Sequence, residues 1–459
     1  MGQAGILTGE TEHYWQPPKQ LSVLGMEVSE RLFGRAVGTA LIAMVVALCA
    51  APRTAPFQLG LVLILAISLI VRDGRPWAPV VRATPALLPL IAFSGFALLS
   101  AIWARDPSRA FQLSLMFTAN MLGGVLVIRW VEGEKGERLA RLGLGLLMGF
   151  TLALAFLGIE MASGQLIKRI VFNTSDLLKP DTDKHFGIRN GEIIRIALYY
   201  LNRGVAVMTL MLWPIVLIAA MWPVRLRRRL MAYGFTITAL AIVAFSAHET
   251  SKLALLLSFI GFALAQASPK WAWRTLYAVW VVVIVGAVPM ALMATRAGLQ
   301  EASWIQDSGR ARFILWGVTA ERTLDNPILG IGADSTREID AELERTAVKK
   351  KDAPYALRTG RHAHNVYLQT WFELGAVGAA LMLVAGLVLF RRLYDVPERA
   401  RPYVFASLVA GLVMAGLSWG LWQPWLAAAY SLMALALSVA VRYAETGAAE
   451  FWRPAANDR

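Results

Sequence analysis

Twelve apolar stretches alternate with polar loops along the sequence, at roughly 36–51, 57–71, 86–103, 111–131, 140–161, 203–222, 230–247, 251–267, 271–294, 365–390, 402–421 and 424–443. A helix rises about 1.5 Å per residue, so a run near twenty residues matches the roughly 30 Å of a bilayer's hydrocarbon layer. The pattern predicts an all-α integral membrane protein of one domain with about twelve transmembrane helices. Two polar interruptions are long, residues 162–202 and 295–364, and the second lies between the ninth and tenth spans.

Composition supports the pattern. Hydrophobic residues make up 57% of the 459 and charged residues 17%, where a soluble protein carries about a quarter charged. The single Cys49 sits in the first span, so no disulfide forms within one chain. The first 35 residues are polar and no cleavage site follows the first apolar run, so no cleavable signal is expected.

The formal charge of +14 changes the picture only through its distribution. Alternate loops carry Arg72, Arg75 and Arg82; Arg129, Lys135, Arg138 and Arg141; Arg225, Arg227, Arg228 and Arg229; Lys270 and Arg274; Arg391, Arg392, Arg399 and Arg401. The positive-inside rule places these loops and both termini in the cytoplasm. The charge is then an orientation signal, and nucleic-acid binding is not expected. The expected division is a cytoplasmic segment 1–35, spans one to nine over 36–294, an outward insert 295–364, spans ten to twelve over 365–443 and a cytoplasmic tail 444–459.

The insert has eleven Lys/Arg against ten Asp/Glu, the balance of a folded soluble element. Asp307-Ser308-Gly309 reads as a cap, and Phe313, Trp316, Gly317, Ala320 and Leu324 follow at helical spacing until Asn326-Pro327. Ser335-Thr336-Arg337-Glu338 reads as a capping box for a second helix running to Lys349-Lys350-Lys351. The other long loop, 162–202, carries Lys168, Arg169, Lys179, Lys184, Arg189 and Arg195 against the orientation rule. An anionic ligand would account for them.

Chemistry concentrates where polar loops meet span ends. Arg310 stands in the first turn of the insert helix, where free N–H groups and the helix dipole favour a phosphate. Arg310, with Arg312, either clamps a phosphate or pairs with Asp307 or Glu301 on a solvated face. Arg203 and Lys252 open the sixth and eighth spans, positioned to reach a lipid diphosphate or to snorkel to the interface. Arg361-His362-Ala363-His364-Asn365 leads into the tenth span. A neutral imidazole there can accept a hydroxyl proton; the alternative is a capping or hydrogen-bonded histidine. Read as helical, His362 and His364 point to different sides, which disfavours a zinc site. Glu373, about 13 Å along the helix from His364, reads as the buried partner of an arginine. Asp181-Thr182-Asp183 has a metal-binding spacing but faces outward, and no metal is expected.

Together these residues resemble the O-antigen ligase family, which includes O-antigen polymerases and protein O-oligosaccharyltransferases. The resemblance rests on His364-Asn365 followed after nine residues by Gly375-Ala376-Val377-Gly378. Before them come Ser308-Gly309-Arg310 with Trp316, and Asn326-Pro327-Ile328-Leu329-Gly330-Ile331-Gly332. Asn202-Arg203 and Ser251-Lys252 are similar to the family's basic span starts, with Lys252 standing where the family has arginine and losing its fork.

The resemblance implies a cofactor-free, metal-independent, inverting glycosyltransferase in the inner membrane, with its active site and large helical loop in the periplasm. Its donor would be an undecaprenyl-diphosphate-linked O-antigen and its acceptor a sugar hydroxyl of lipid A core. His364 and Arg310 would be catalytic; Lys252, Arg203 and Arg312 would hold the diphosphate; His362, Arg361, Asn365 and Arg195 would face the acceptor. An O-antigen polymerase is the nearest alternative. A secondary transporter is the alternative of another class, disfavoured by the lack of an internal repeat and of paired broken helices.

Overall fold

The computed structural model describes residues 30–82, 84–175, 185–346 and 359–452. Sixteen helices follow in order: α1 Glu30–Ala50, α2 Ala55–Arg72, α3 Ala78–Val81, α4 Leu88–Leu99, α5 Pro107–Glu132, α6 Gly136–Ala162, α7 Leu166–Thr174, α8 Asn202–Ala220, α9 Arg225–Phe245, α10 Glu249–Ala267, α11 Pro269–Arg296, α12 Asp307–Thr323, α13 Thr336–Thr346, α14 Val366–Tyr394, α15 Arg401–Leu417 and α16 Pro424–Thr446. Among the described residues ten helical segments are long and apolar enough to cross a membrane, and the protein is a multi-pass membrane protein. Two other expected spans form shorter apolar helices, Ala36–Ala50 within α1 and Arg401–Leu417.

α8 and α16 form the centre. Nearly every residue of α8 from Gly204 to Ala219 is buried, as is most of α16, and α5, α6, α9, α10 and α15 pack around them. Helices inside a membrane gain little from hiding apolar surface and rely on close contact. α1 meets α6 where Gly145 lies against the Gly38 backbone, at a distance that leaves no room for a side chain.

The two ends of the bundle differ. At one end Arg75 bridges Asp73 (3.1 Å) and Glu134 (2.9 Å), and Arg138 joins Asp73 at 2.5 Å. Arg442 reaches the Glu134 carbonyl and pairs with Glu445 at 2.6 Å. The loops expected to face inward thus spend several arginines on internal carboxylates.

The other end carries the long loops. Residues 162–202 add a β element that the all-α expectation leaves out: α7, then an antiparallel hairpin of β1 Phe186–Arg189 and β2 Glu192–Ile196. Asn190 and Gly191 both take positive φ (52° and 80°) at its turn, the conformation of a two-residue Asn-Gly hairpin. Two of the loop's six cations serve this local structure. Lys168 donates to the Ala50 carbonyl at 2.7 Å, and Arg169 to the carbonyls of Ile194 and Ser163. Lys179, Lys184 and Asp181-Thr182-Asp183 lie outside the described residues, as does Lys349-Lys350-Lys351.

In the insert, α12 starts at Asp307 after Gln306, and no side chain caps it, contrary to the Asp307 cap expected. It packs on α11 and α14. The expected capping box also finds other uses: Ser335 Oγ accepts from Arg105 N at 3.0 Å, and the Thr336 hydroxyl donates to Glu373.

α14 is broken at Gly375 (φ 62°, ψ −163°), which frees backbone groups inside an apolar helix. Residues 327–332 satisfy them. Ile331 and Gly332 donate to the carbonyls of Phe372 (3.2 Å) and Glu373 (2.9 Å), and Ala376 and Val377 donate to those of Pro327 (2.8 Å) and Ile328 (3.2 Å). Irregular backbone at such depth is tolerated only when protein satisfies it in this way. Gly330 (φ 68°) lies face to face with the break, and a Cβ there would strike Glu373 and Leu374, as one on Gly375 would strike Ile328. Gly330→Ala and Gly375→Ala should each destabilise the protein by roughly 1–3 kcal/mol from backbone strain alone, read as a lowered thermal midpoint in detergent. Gly234→Ala, in open space on α9, should leave it unchanged or raise it slightly.

Candidate active site

The segment before α14 is not helical. Asn365 caps the helix, its Oδ1 accepting from Tyr367 N (3.0 Å) and Leu368 N (3.1 Å), and Ala363 accepts from Trp316 Nε1 at 2.8 Å. Held from both sides, His364 takes a positive φ of 52°. Its ring therefore meets His362, with centroids 4.1 Å apart, where a helical reading had separated the two. His364 Nδ1 lies 2.5 Å from the Ser418 carbonyl. A carbonyl only accepts, so Nδ1 carries the proton and Nε2 keeps its lone pair. Burial holds the His364 pKa below the ordinary value; the Ser418 bond opposes this and the charge of Arg312 adds to it. Burial, His364 and Arg203 push His362 down to about 3. Both imidazoles are neutral bases at physiological pH.

The loop Ser418–Gln423, between α15 and α16, forms the other wall, and sequence reasoning missed it. Besides Ser418, its Gln423 Nε2 donates to His362 Nε2 (3.3 Å), and Gln423 Oε1 accepts from Trp425 Nε1 (2.7 Å). Trp419 meets Trp425 edge-on at 4.8 Å and stacks on His248 at 5.2 Å. His248, just before α10, is buried and bonded to Ser251 Oγ at 2.7 Å. Burial and the charge of Arg312 push its pKa down to about 3. Three tryptophans in the seven residues Trp419–Trp425, between two spans, were the available signal.

Glu373 anchors this wall from below. Fully buried, it accepts from Asp334 N (3.0 Å), Thr336 N (3.3 Å), the Thr336 hydroxyl, Gln369 Nε2 (3.1 Å) and Trp422 Nε1. Gln369 Oε1 in turn accepts from Leu421 N at 3.0 Å. Among the described residues no arginine bonds to it, contrary to expectation. Its oxygens are shared among neutral donors from the insert, α14 and the Ser418–Gln423 loop.

The expected cations separate into two groups. Arg312 acts electrostatically on both His364 and His248 and has no acidic partner among the described residues; burial lowers its pKa. Arg203 acts on His362 and lies 5.8 Å over the Trp425 ring. Its Nε is buried with no hydrogen-bond partner, as is Asn202 Oδ1 beside it. Arg310 instead pairs with Asp307, and the two line an open cleft of about 500 Å³ with Ser303, Trp304 and Gln306 that contains no histidine. Lys252 pairs with Glu249 at 2.8 Å. Arg361 is exposed, and so is Arg195 on the hairpin, opposite Gly187. Asn365 is occupied in capping.

A family model described as O-antigen ligase matches residues 234–383, a stretch that holds Arg312, His362, His364, Glu373 and the helix break. Over that stretch the chain is similar to the O-antigen ligase family. It is similar to a protein of Rickettsia conorii named as a polysaccharide ligase, 24% identical over 246 residues, which cover 51% of this chain and 58% of that protein. A like-named protein of Rickettsia prowazekii is 22% identical over 349 residues, covering 73% and 76%.

His248 and His362 stay neutral when folded but titrate near 6.5 when unfolded. Below that pH the unfolded chain binds more protons, so their contribution to stability is present above about pH 6.5 and is lost as pH falls toward 3. His248→Phe should flatten the fall in thermal midpoint between pH 7.5 and pH 5. An unchanged slope would show that His248 titrates freely.

Proposed function

We propose that the protein is an O-antigen ligase, moving a polysaccharide from undecaprenyl diphosphate to a sugar hydroxyl of lipid A core. The site would face the periplasm, at the outer leaflet of the inner membrane. The observation that carries the reading is the His364 bond to the Ser418 carbonyl: it leaves a neutral ring with Nε2 unprotonated, acted on by Arg312, with Arg203 acting on the neighbouring His362, and neither arginine has an acidic partner among the described residues.

In this reaction the acceptor oxygen attacks the anomeric carbon and gives its proton to His364 Nε2. The bond from that carbon to the diphosphate oxygen breaks on the opposite face, so configuration inverts. Arg312, with Arg203, stabilises the negative charge that collects on the leaving diphosphate. Of the three residues expected to hold the diphosphate, Lys252, Arg203 and Arg312, this keeps Arg203 and Arg312, and it gives Arg310 no catalytic part. His362 and Gln423 orient the acceptor side.

Purified protein, a lipid-diphosphate-linked polysaccharide and lipid A core, with chelator present, test the proposal. The wild type should glycosylate the core. His364→Ala should lose about 10²–10⁴-fold in rate and Arg312→Ala about 10²–10³-fold, while Arg310→Ala and Lys252→Ala stay within several-fold. Longer glycan on the lipid and none on the core would make the protein a polymerase. Full activity of His364→Ala would remove it as the base.

A further inference from the structure

The turn Pro52–Thr54 between α1 and α2 packs against the starts of α8 and α16, at the end of the bundle that holds the histidines. It presents Arg53, an exposed residue outside the family's matched segment and outside the basic motifs of the sequence. Arg53 lies close enough for its charge to act on Arg203, which in turn acts on His362. Neither arginine has a carboxylate partner among the described residues. The buried Glu160 is engaged by the N–H groups of Ile167 (2.8 Å) and Lys168 (3.3 Å) and by the charge of Lys168.

Two like charges brought together without an acid repel, and a partly buried guanidinium with an unbonded Nε costs more still. Arg75, Arg138, Arg109 and Arg442, by contrast, all have carboxylates within 3.1 Å. The Arg203 guanidinium lies over the Trp425 ring, 5.8 Å from its centroid, a contact that does not neutralise its charge. The missing partner is therefore an anion that the described residues do not supply, and the paired forks of two arginines fit a phosphate.

We propose that Arg53 and Arg203 form a phosphate-binding subsite on the His362 side of the active site, separate from Arg312 on the His364 side. It rests on the ligase reading only for the source of its phosphate. That source is either the donor's lipid diphosphate or a phosphate on the acceptor glycan.

The test measures binding without turnover, comparing wild type, Arg53→Ala, Arg53→Lys and, as a charge control at the opposite end, Arg399→Ala. The probes are inorganic pyrophosphate, undecaprenyl diphosphate, and lipid A core before and after enzymatic removal of its phosphates. Arg53→Ala should weaken at least one phosphate-bearing probe by about ten-fold, the loss of one charged hydrogen bond. Arg53→Lys should recover part of the loss, and Arg399→Ala should match wild type.

A loss confined to undecaprenyl diphosphate assigns the subsite to the donor. A loss confined to phosphorylated core, absent after dephosphorylation, assigns it to the acceptor. If wild type binds neither lipid but loses pyrophosphate affinity in Arg53→Ala, the subsite stands and the ligase reading falls. Equal affinities of wild type and Arg53→Ala for every probe overturn the proposal, whatever the transfer assay shows.

Discussion

The histidine-bearing end of this protein depends on a carboxyl group buried where a charge is least welcome. An ionised group deep in an apolar bundle is tolerated only when its oxygens are fully engaged. Glu373 draws five donors from three separate stretches of chain. The need to surround it fixes the insert, the first half of α14 and the Ser418–Gln423 loop relative to one another. The break at Gly375 belongs to the same arrangement, because the helix opens two residues beyond the carboxylate and the turn-forming run 327–332 closes the gap. His362 and His364 inherit their positions from this frame: Gly420 packs on His362 and Gln369, and Ser418 selects the tautomer of His364.

Charge is distributed by the same economy. Arginines at the opposite end neutralise Asp73, Glu134 and Glu445, whereas Arg53, Arg203 and Arg312 gather near neutral histidines and indoles with no acid among the described residues. Such an arrangement has an internal electrostatic cost and a strong field for anions. Trp419 stacks on His248, and Trp425 lies under Arg203.

The apolar runs announced most of the helices, because a membrane-crossing segment must satisfy its backbone internally and so must be long, apolar and helical. The motifs around Asn326–Gly332 and His364–Gly378 pointed to one site, and the structure shows why they go together: their backbones bond to each other across the helix break. What sequence could not separate was Arg310 from Arg312. Two residues along a helix face directions about 200° apart, and only packing decides which one turns to the histidines. The role of Ser418 was equally hidden, since it acts through a backbone carbonyl that any residue possesses. The hairpin was legible in Asn190-Gly191 but lay in a loop read for its charge alone.

A histidine that resists protonation also surrenders a proton readily. In the proposed transfer, an imidazolium formed at His364 would stand in a buried site beside Arg312, and the environment that keeps the ring neutral would make that cation a strong acid. Its proton would then pass to the departing diphosphate or out to water. Burial and a neighbouring guanidinium would thus return the base to its starting form, leaving the site prepared for the next turnover.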